Sequence, residues 1–183
     1  MRMMNLRFLL VYEGLLLAAV PTRAALVDYF LKLDGIPGES VDEAHKDEIE
    51  IYSFSLGATQ TGGTTGGGGA GRVIFTDISF TKPVDKSSPH LYLLCAQGKH
   101  IPTAILYGRK AGERPTDYYI IKLTDVLISS VQTSGASGGD RPTETLSLNY
   151  TKIEFSYARQ KPDGSLEPPI TTGWDIKLNI EVP

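Results

Sequence analysis

The chain has only one cysteine, Cys95, in 183 residues, and only three histidines, at positions 45, 90 and 100. A lone cysteine excludes an intrachain disulfide and a cysteine-rich zinc site. The histidines show no H-E-x-x-H or comparable ligand spacing, and no G-x-S-x-G nucleophile elbow is present. The formal net charge is −3, and no Lys/Arg run interleaves with aromatics, so nothing favours nucleic-acid binding. Beyond residue 24 no apolar stretch is long enough to span a membrane as a helix, which takes about 20 residues. The adjacent carboxylates Asp42-Glu43 and Asp47-Glu48 fall in a polar loop and are expected to be solvated, as is His45 beside them. Cys95 has no neighbouring base and reads as a small buried hydrophobe. No catalytic, cofactor-binding or metal-binding residue is nominated, and the chain is not expected to be an enzyme.

The first 24 residues differ from the rest. Arg2 and Arg7 precede an apolar run from Phe8 to Val20, and Thr22-Arg23-Ala24 offers a small-residue cleavage site. Glu13 interrupts the run. The segment reads either as a signal-like leader or as an extension from a start called too far upstream. Residues 25–183 then form one domain, large enough for a single core, with a formal charge of −5.

Glycine is concentrated in one place. Eight of the fifteen residues from Gly57 to Gly71 are glycine, too many for a helix or strand interior. A phosphate-binding P-loop would need G-K-[ST] and then a helix. Here Arg72 and the β-rich segment 73–82 follow. Ordering eight glycines costs on the order of 4–8 kcal/mol more than ordering alanines, comparable with the stability of a whole domain. Loops of this length inside compact domains are usually functional or disordered, so an ordered conformation implies a partner surface.

The remaining pattern is mainly β. Strands are expected over 27–33, 48–56, 73–82, 104–110, 118–131, 146–159 and 173–182, with Lys122 and Asp125 breaking the fifth and glycine- and serine-rich loops between. In 48–56 the alternation shifts midway, which suits a bulge that changes the inward-facing side. The single helix signal covers about 88–98: Ser88 as cap, Pro89 at the first position, Leu91, Leu94 and Cys95 on one face, and Gly98 as stop. The spacing suggests an all-β sandwich or barrel carrying one short helix.

Many short motifs in register then resemble the haemolysin-coregulated (Hcp) proteins of type VI secretion. They include ALVDYFLKLDGI at 25–36 with Gly38-Glu39-Ser40, His45-Lys46-Asp47-Glu48-Ile49 and the glycine run ending at Gly71. Further matches are Asp77-Ile78-Ser79-Phe80-Thr81, Asp85-Lys86 with Ser88-Pro89, Gly98-Lys99-His100, Arg109-Lys110-Ala111-Gly112, Leu148-Asn149-Tyr150, Gln160-Lys161-Pro162-Asp163-Gly164 and Gly173-Trp174-Asp175. The resemblance implies a two-sheet β-barrel with a helix on one side and a ring-forming protomer. It also implies homohexameric rings stacked into an inner tube beneath a spike and within a contractile sheath, with effector cargo in the lumen and no cofactor. Assembly would be cytoplasmic, followed by secretion through the system. By the same analogy Thr59, Gln60, Gly62, Gly63, Gly66, Gly67, Gly68, Gly69 and Gly71 belong to the loop that contacts adjacent subunits or the next ring, and Ser53 and Ser55 face cargo. The family carries tryptophans where Phe54 and Leu56 stand, and Gly108 interrupts a strand that is usually β-branched there. The competing reading, tied to a true leader, is a monomeric secreted β-domain that binds a ligand or partner.

Overall fold

The structure, a computed structural model, describes residues 27–60, 72–111, 115–139 and 141–182. The leader reading of 1–24 and most of the turn expected at 111–113 lie outside the described residues. Among the described residues the elements run β1 Val27–Leu33, β2 Ile49–Ile51, β3 Ser53–Ser55, β4 Ala58–Gln60, β5 Val73–Phe75, β6 Ile78–Pro83, α1 Ser88–Gln97, β7 Ile101–Lys110, β8 Thr116–Ser134, β9 Thr143–Tyr157, β10 Ile170–Asp175 and β11 Ile180–Val182.

All the strand pairings are antiparallel. β7 lies between β1 and β8, and β8 pairs with β9 along nearly its full length. On its other side β9 pairs with β6 through its first half and with β10 through its second. β6 in turn pairs with β3, while β2 pairs with β1. Because β2 and β3 are consecutive in the chain, the nine-stranded sheet curls back on itself as a barrel, with its seam at Tyr52. The Tyr52 N–H donates to the Thr81 carbonyl at 2.8 Å.

The midway shift in 48–56 is this seam. Ile49 and Ile51 are buried; past Tyr52 the exposed residues are Ser53 and Ser55, and Phe54 turns inward. The expected return strand 73–82 is likewise two strands, with a break at residues 76–77. Lys122 does not interrupt β8: it pairs in register with Ile105 and Glu154. Asp125 does distort it, with φ of 54° in the left-handed region that short polar side chains tolerate. A second irregularity between Ile128 and Ser130 inserts one extra residue, which lets Ile128 and Val131 both face the core opposite Leu148 and Leu146.

The final strand expected over 173–182 is a hairpin instead. Asn179 adopts φ of 59°, its N–H returns to the Asp175 carbonyl at 2.8 Å, and the Asp175 carboxylate accepts from the Leu178 N–H at 2.7 Å. The Asx and left-handed Asn pattern makes the turn that the run of β-formers concealed.

The helix matches its expected span, with one correction. Ser87, not Ser88, is the cap residue, and it makes no side-chain capping bond. The Ser88 hydroxyl is committed to the buried Glu144 carboxylate at 2.7 Å. Gly98 closes the helix at φ of 60°, a conformation for which glycine carries no Cβ penalty. Leu91 is fully buried, and Leu94 and Cys95 pack against the core, as their spacing requires. The glycine at 108 also has a packing reason: a Cβ there would lie 3.3 Å from both Tyr119 Cβ and Tyr29 Cε1.

The loop 34–48 is laced down rather than free. Gly38 N–H donates to Asp47 O at 2.7 Å, Ser40 N–H to Glu48 O at 3.0 Å, and Asp47 N–H to Ser40 O at 2.9 Å. A Cβ on Gly38 would overlap the backbone of Glu48 and Ile49. Gly38→Ala is therefore expected to cost about 1–3 kcal/mol through overpacking, read as a lower midpoint in urea denaturation with an unchanged slope.

Candidate functional site

The candidate surfaces are built from the polar faces of four strands on one side of the barrel. Two cross-strand rows run over β3, β6, β9 and β8. One joins Ser55, Ser79, Ser147 and Ser130; the next joins Ser53, Thr81, Thr145 and Gln132. Partners in register share a face of the sheet, and alternation sends the intervening Phe80, Leu146 and Leu148 into the core. The result is a continuous face of seven small hydroxyls and the Gln132 amide, without a charged side chain in either row. Ser79 and Ser147 are joined hydroxyl to hydroxyl at 2.9 Å. Sequence reasoning singled out Ser53 and Ser55 of this face. The other members were visible only as the polar half of alternating strands, and their register could not be read without the pairing.

Beside this face the chain leaves the barrel as an arm. Among the described residues β4 and β5 pair only with each other: Ala58 with Phe75, Thr59 with Ile74, Gln60 with Val73. The base is pinned by Thr76, whose N–H donates to Gly57 O at 2.9 Å and whose hydroxyl accepts from Gly57 N–H at 3.0 Å. Arg72, at the outer end of β5, donates to the Ile176 carbonyl at 2.7 Å, tying that end of the arm to the β10–β11 turn. Thr59 and Gln60 are exposed on this arm; Gly62, Gly63, Gly66, Gly67, Gly68, Gly69 and Gly71 lie outside the described residues. An isolated two-stranded ribbon is marginal in water, so a half-exposed Ile74 on such an arm calls for a neighbouring surface.

Two charge networks brace the barrel. Lys82 is fully buried, with Nζ 2.7 Å from Pro83 O, 2.9 Å from Asp85 Oδ1, 3.0 Å from Glu144 Oε2 and 3.2 Å from Ser88 Oγ. The Glu144 carboxylate also accepts from Thr133 Oγ1 at 3.0 Å, and Thr133 meets Tyr92 OH at 2.7 Å. This network stitches α1 to β6, β8 and β9. Sequence reasoning missed it, because Lys82 and Glu144 lie 62 residues apart.

The second network corrects the expectation for His45. Its ring is 3% exposed, not solvated, and stacks on Phe30 at 4.6 Å between centroids, with Tyr107 at 4.7 Å. Nδ1 lies 2.8 Å from Glu48 Oε2 and Nε2 3.0 Å from Asp117 Oδ1. The ring thus spans two carboxylates, one from its own loop and one from β8. Arg109 bridges Asp117 at 3.0 Å and Asp42 at 3.5 Å. Burial works against the Asp42 charge, but the Ala44 and His45 N–H groups and the Arg109 guanidinium together hold its carboxyl below the ordinary value. The local sequence HKDE looked like a solvated loop because its partners come from strands 72 residues away.

Burial, then the nearby Asp77 charge, drives the Tyr150 hydroxyl well above the ordinary tyrosine range; the protonated group donates to Thr76 O at 3.1 Å. Among the described residues no three His, Cys, Asp or Glu side chains gather as a metal site, and no helix is long and apolar enough to cross a membrane.

Among the described residues the chain is a curled antiparallel barrel with one flanking helix, an uncharged face and a two-stranded arm. The chain belongs to the Hcp family of type VI secretion: the family model described as "Type VI secretion system effector, Hcp" matches residues 30–157. It is 45% identical over 159 residues to Protein hcp1 of Pseudomonas aeruginosa, covering 85% of this chain and 98% of that one. A solved structure of a type six secretion system protein superposes with a TM-score of 0.81 at 33% identity, over 85% of this chain and 99% of the other. Hcp1 from Salmonella typhimurium does so with a TM-score of 0.73 at 38% identity, over 86% and 100%. The chain is thus a type VI secretion tube protein of mainly β fold. The family is a structural one, and its members are secreted through the system. The alternative of a monomeric ligand-binding domain is not favoured.

Two expectations follow from the networks. Lys82→Met strands buried carboxylates and should cost about 3–5 kcal/mol, while adding Glu144→Leu should recover part of that loss; chemical denaturation of both variants tests it. The Asp42 carboxyl titrates lower in the folded state, so its contribution is complete above roughly pH 4 and is lost as pH falls through the folded value. Asp42→Asn should lower the melting temperature at neutral pH and leave a shallower decline below about pH 4.

Proposed function

We propose that the protein is the ring-forming protomer of a type VI inner tube: homohexamers stack beneath a spike and inside a contractile sheath, and the hydroxyl face lines the conduit that carries effector cargo. The observation that carries this reading is the uncharged double row of hydroxyls on β3, β6, β9 and β8, in a chain that spans nearly the whole of its Hcp relative. Small neutral side chains contact a passing protein without the strong charge pairing that would hold it, which suits transport over storage. Ser53 and Ser55 stand at one margin of that wall. The role is architectural and needs no cofactor; assembly precedes export through the system.

The arm at Ala58–Gln60 and Val73–Phe75, with the glycine run 61–71 at its tip, is proposed as the element that reaches an adjacent subunit or the next ring. A neighbour would supply the contacts that offset the ordering cost of the glycines. Residues 25–183 act as one unit in this reading.

Light scattering on the purified full chain, with electron microscopy of the same peak, tests the proposal. A hexameric mass and six-fold rings are expected; a clean monomer at high concentration would contradict it. Replacing residues 62–69 by a two-residue turn is expected to leave the hexamer intact and to abolish stacking of rings end to end, seen as single rings in place of tubes by microscopy.

A further inference from the structure

One row of paired residues crosses the sheet from end to end: Ile51, Tyr29, Gly108, Tyr119, Tyr157, Ile170. Both ends open onto exposed apolar side chains. At one end lies a groove of about 500 Å³ lined by Val27, Asp28, Val41, Glu50 and Tyr52, among others. Val41 is 92% exposed and Tyr52 59%. At the other end Ile170 is 76% exposed and its register partner Tyr157 48%.

The backbone is open at both places too. β11 covers only Gly173–Asp175, so among the described residues Ile170, Thr171 and Thr172 have a strand neighbour on one side alone. At the opposite end Val27 and Asp28 pair with β7, but β2 reaches only as far as Tyr29 before the chain turns away at Tyr52. Such edges template pairing with another strand unless they are covered. The charges are complementary. Asp28 and Glu50 are exposed beside the groove, and among the described residues neither forms an ion pair; Arg109, across the strand from Asp28, is engaged with Asp42 and Asp117. Arg159 is exposed two residues beyond Tyr157, and the Glu167 N–H donates to its carbonyl at 2.8 Å, which sets it beside the Pro168-Pro169-Ile170 ridge.

We infer that the Ile170 ridge of one copy docks in the Val41–Tyr52 groove of the next, with Arg159 against Asp28 and Glu50. The inference rests on the ring reading above and names the surfaces that close it. Two different patches meet, so the contact is heterologous, the kind that generates a closed ring when its rotation closes. Both patches lie at the ends of a single cross-strand row, on opposite sides of the protomer's sheet, so each copy can offer one to each of two neighbours.

The test uses four full-length chains, each sized by light scattering: the wild type, Val41→Arg, Ile170→Asp and the double variant. Both positions are on the surface, and circular dichroism matching the wild type confirms folding. Each single variant sets like charges facing each other, Arg against Arg159 or Asp against Asp28 and Glu50, and is expected to fall from hexamer to monomer. The double variant faces Arg with Asp at every contact and is expected to return to the hexamer. If the wild type forms rings and the single variants do as well, or if the double variant stays monomeric, the assignment is overturned while the ring reading stands. A monomeric wild type overturns both. Should either charged variant misfold, Val41→Ser and Ile170→Ser put the same question, with dissociation at higher protein concentration than the wild type expected and unchanged dissociation overturning the inference.

Discussion

Strand β9 has three neighbours, and the architecture depends on that. It is matched to β8 over its whole length while its two halves face different strands, β6 and β10. The first half closes the barrel, placing Leu146 and Leu148 in the core and Thr145 and Ser147 on the hydroxyl face. The second half extends the sheet outward into the β10–β11 hairpin. A one-residue slip of β9 would exchange its faces, putting hydroxyls in the core and leucines on the surface. The extra residue between Ile128 and Ser130 keeps Ile128 and Val131 both inward, opposite Leu148 and Leu146 of β9.

The buried charges follow from the same constraint. Burying a lysine is costly unless it is paired and hydrogen-bonded, and Lys82 meets four oxygens from three segments. Such a pair is weak evidence for net stability but fixes geometry, since no other arrangement satisfies its members. It holds α1 against the sheet side opposite the hydroxyl rows. His45 does comparable work for the loop 34–48, clamping it over β1, β7 and β8. The arm pairs with no other strand among the described residues and is held to the barrel through Thr76 and Arg72.

Much of this was legible in the sequence. Alternation marked most strands, the Ser-Pro start and glycine stop marked the helix, and the shift within 48–56 marked the seam before its cause was visible. The motif register pointed to the family. What the sequence concealed has a common physical origin in long-range pairing. His45 read as solvated because Asp117 and Tyr107 are supplied by distant strands. Lys82 read as the end of a strand because Glu144 lies across the barrel. The β10–β11 turn was hidden because Asn179 sits among β-formers and its left-handed conformation leaves no mark in hydrophobicity. Of the hydroxyl face only Ser53 and Ser55 were singled out, since rows across strands exist only once register is known.

The central claim is that the neutral hydroxyl rows form the inner wall of the assembled tube. The most direct measurement is a cryo-electron microscopy reconstruction of the purified rings at side-chain resolution. The account predicts that Ser53, Ser55, Ser79, Thr81, Thr145 and Ser147 border the central channel, with α1 on the outer circumference. A reconstruction that places those rows on the outside, or buries them between subunits, would contradict it.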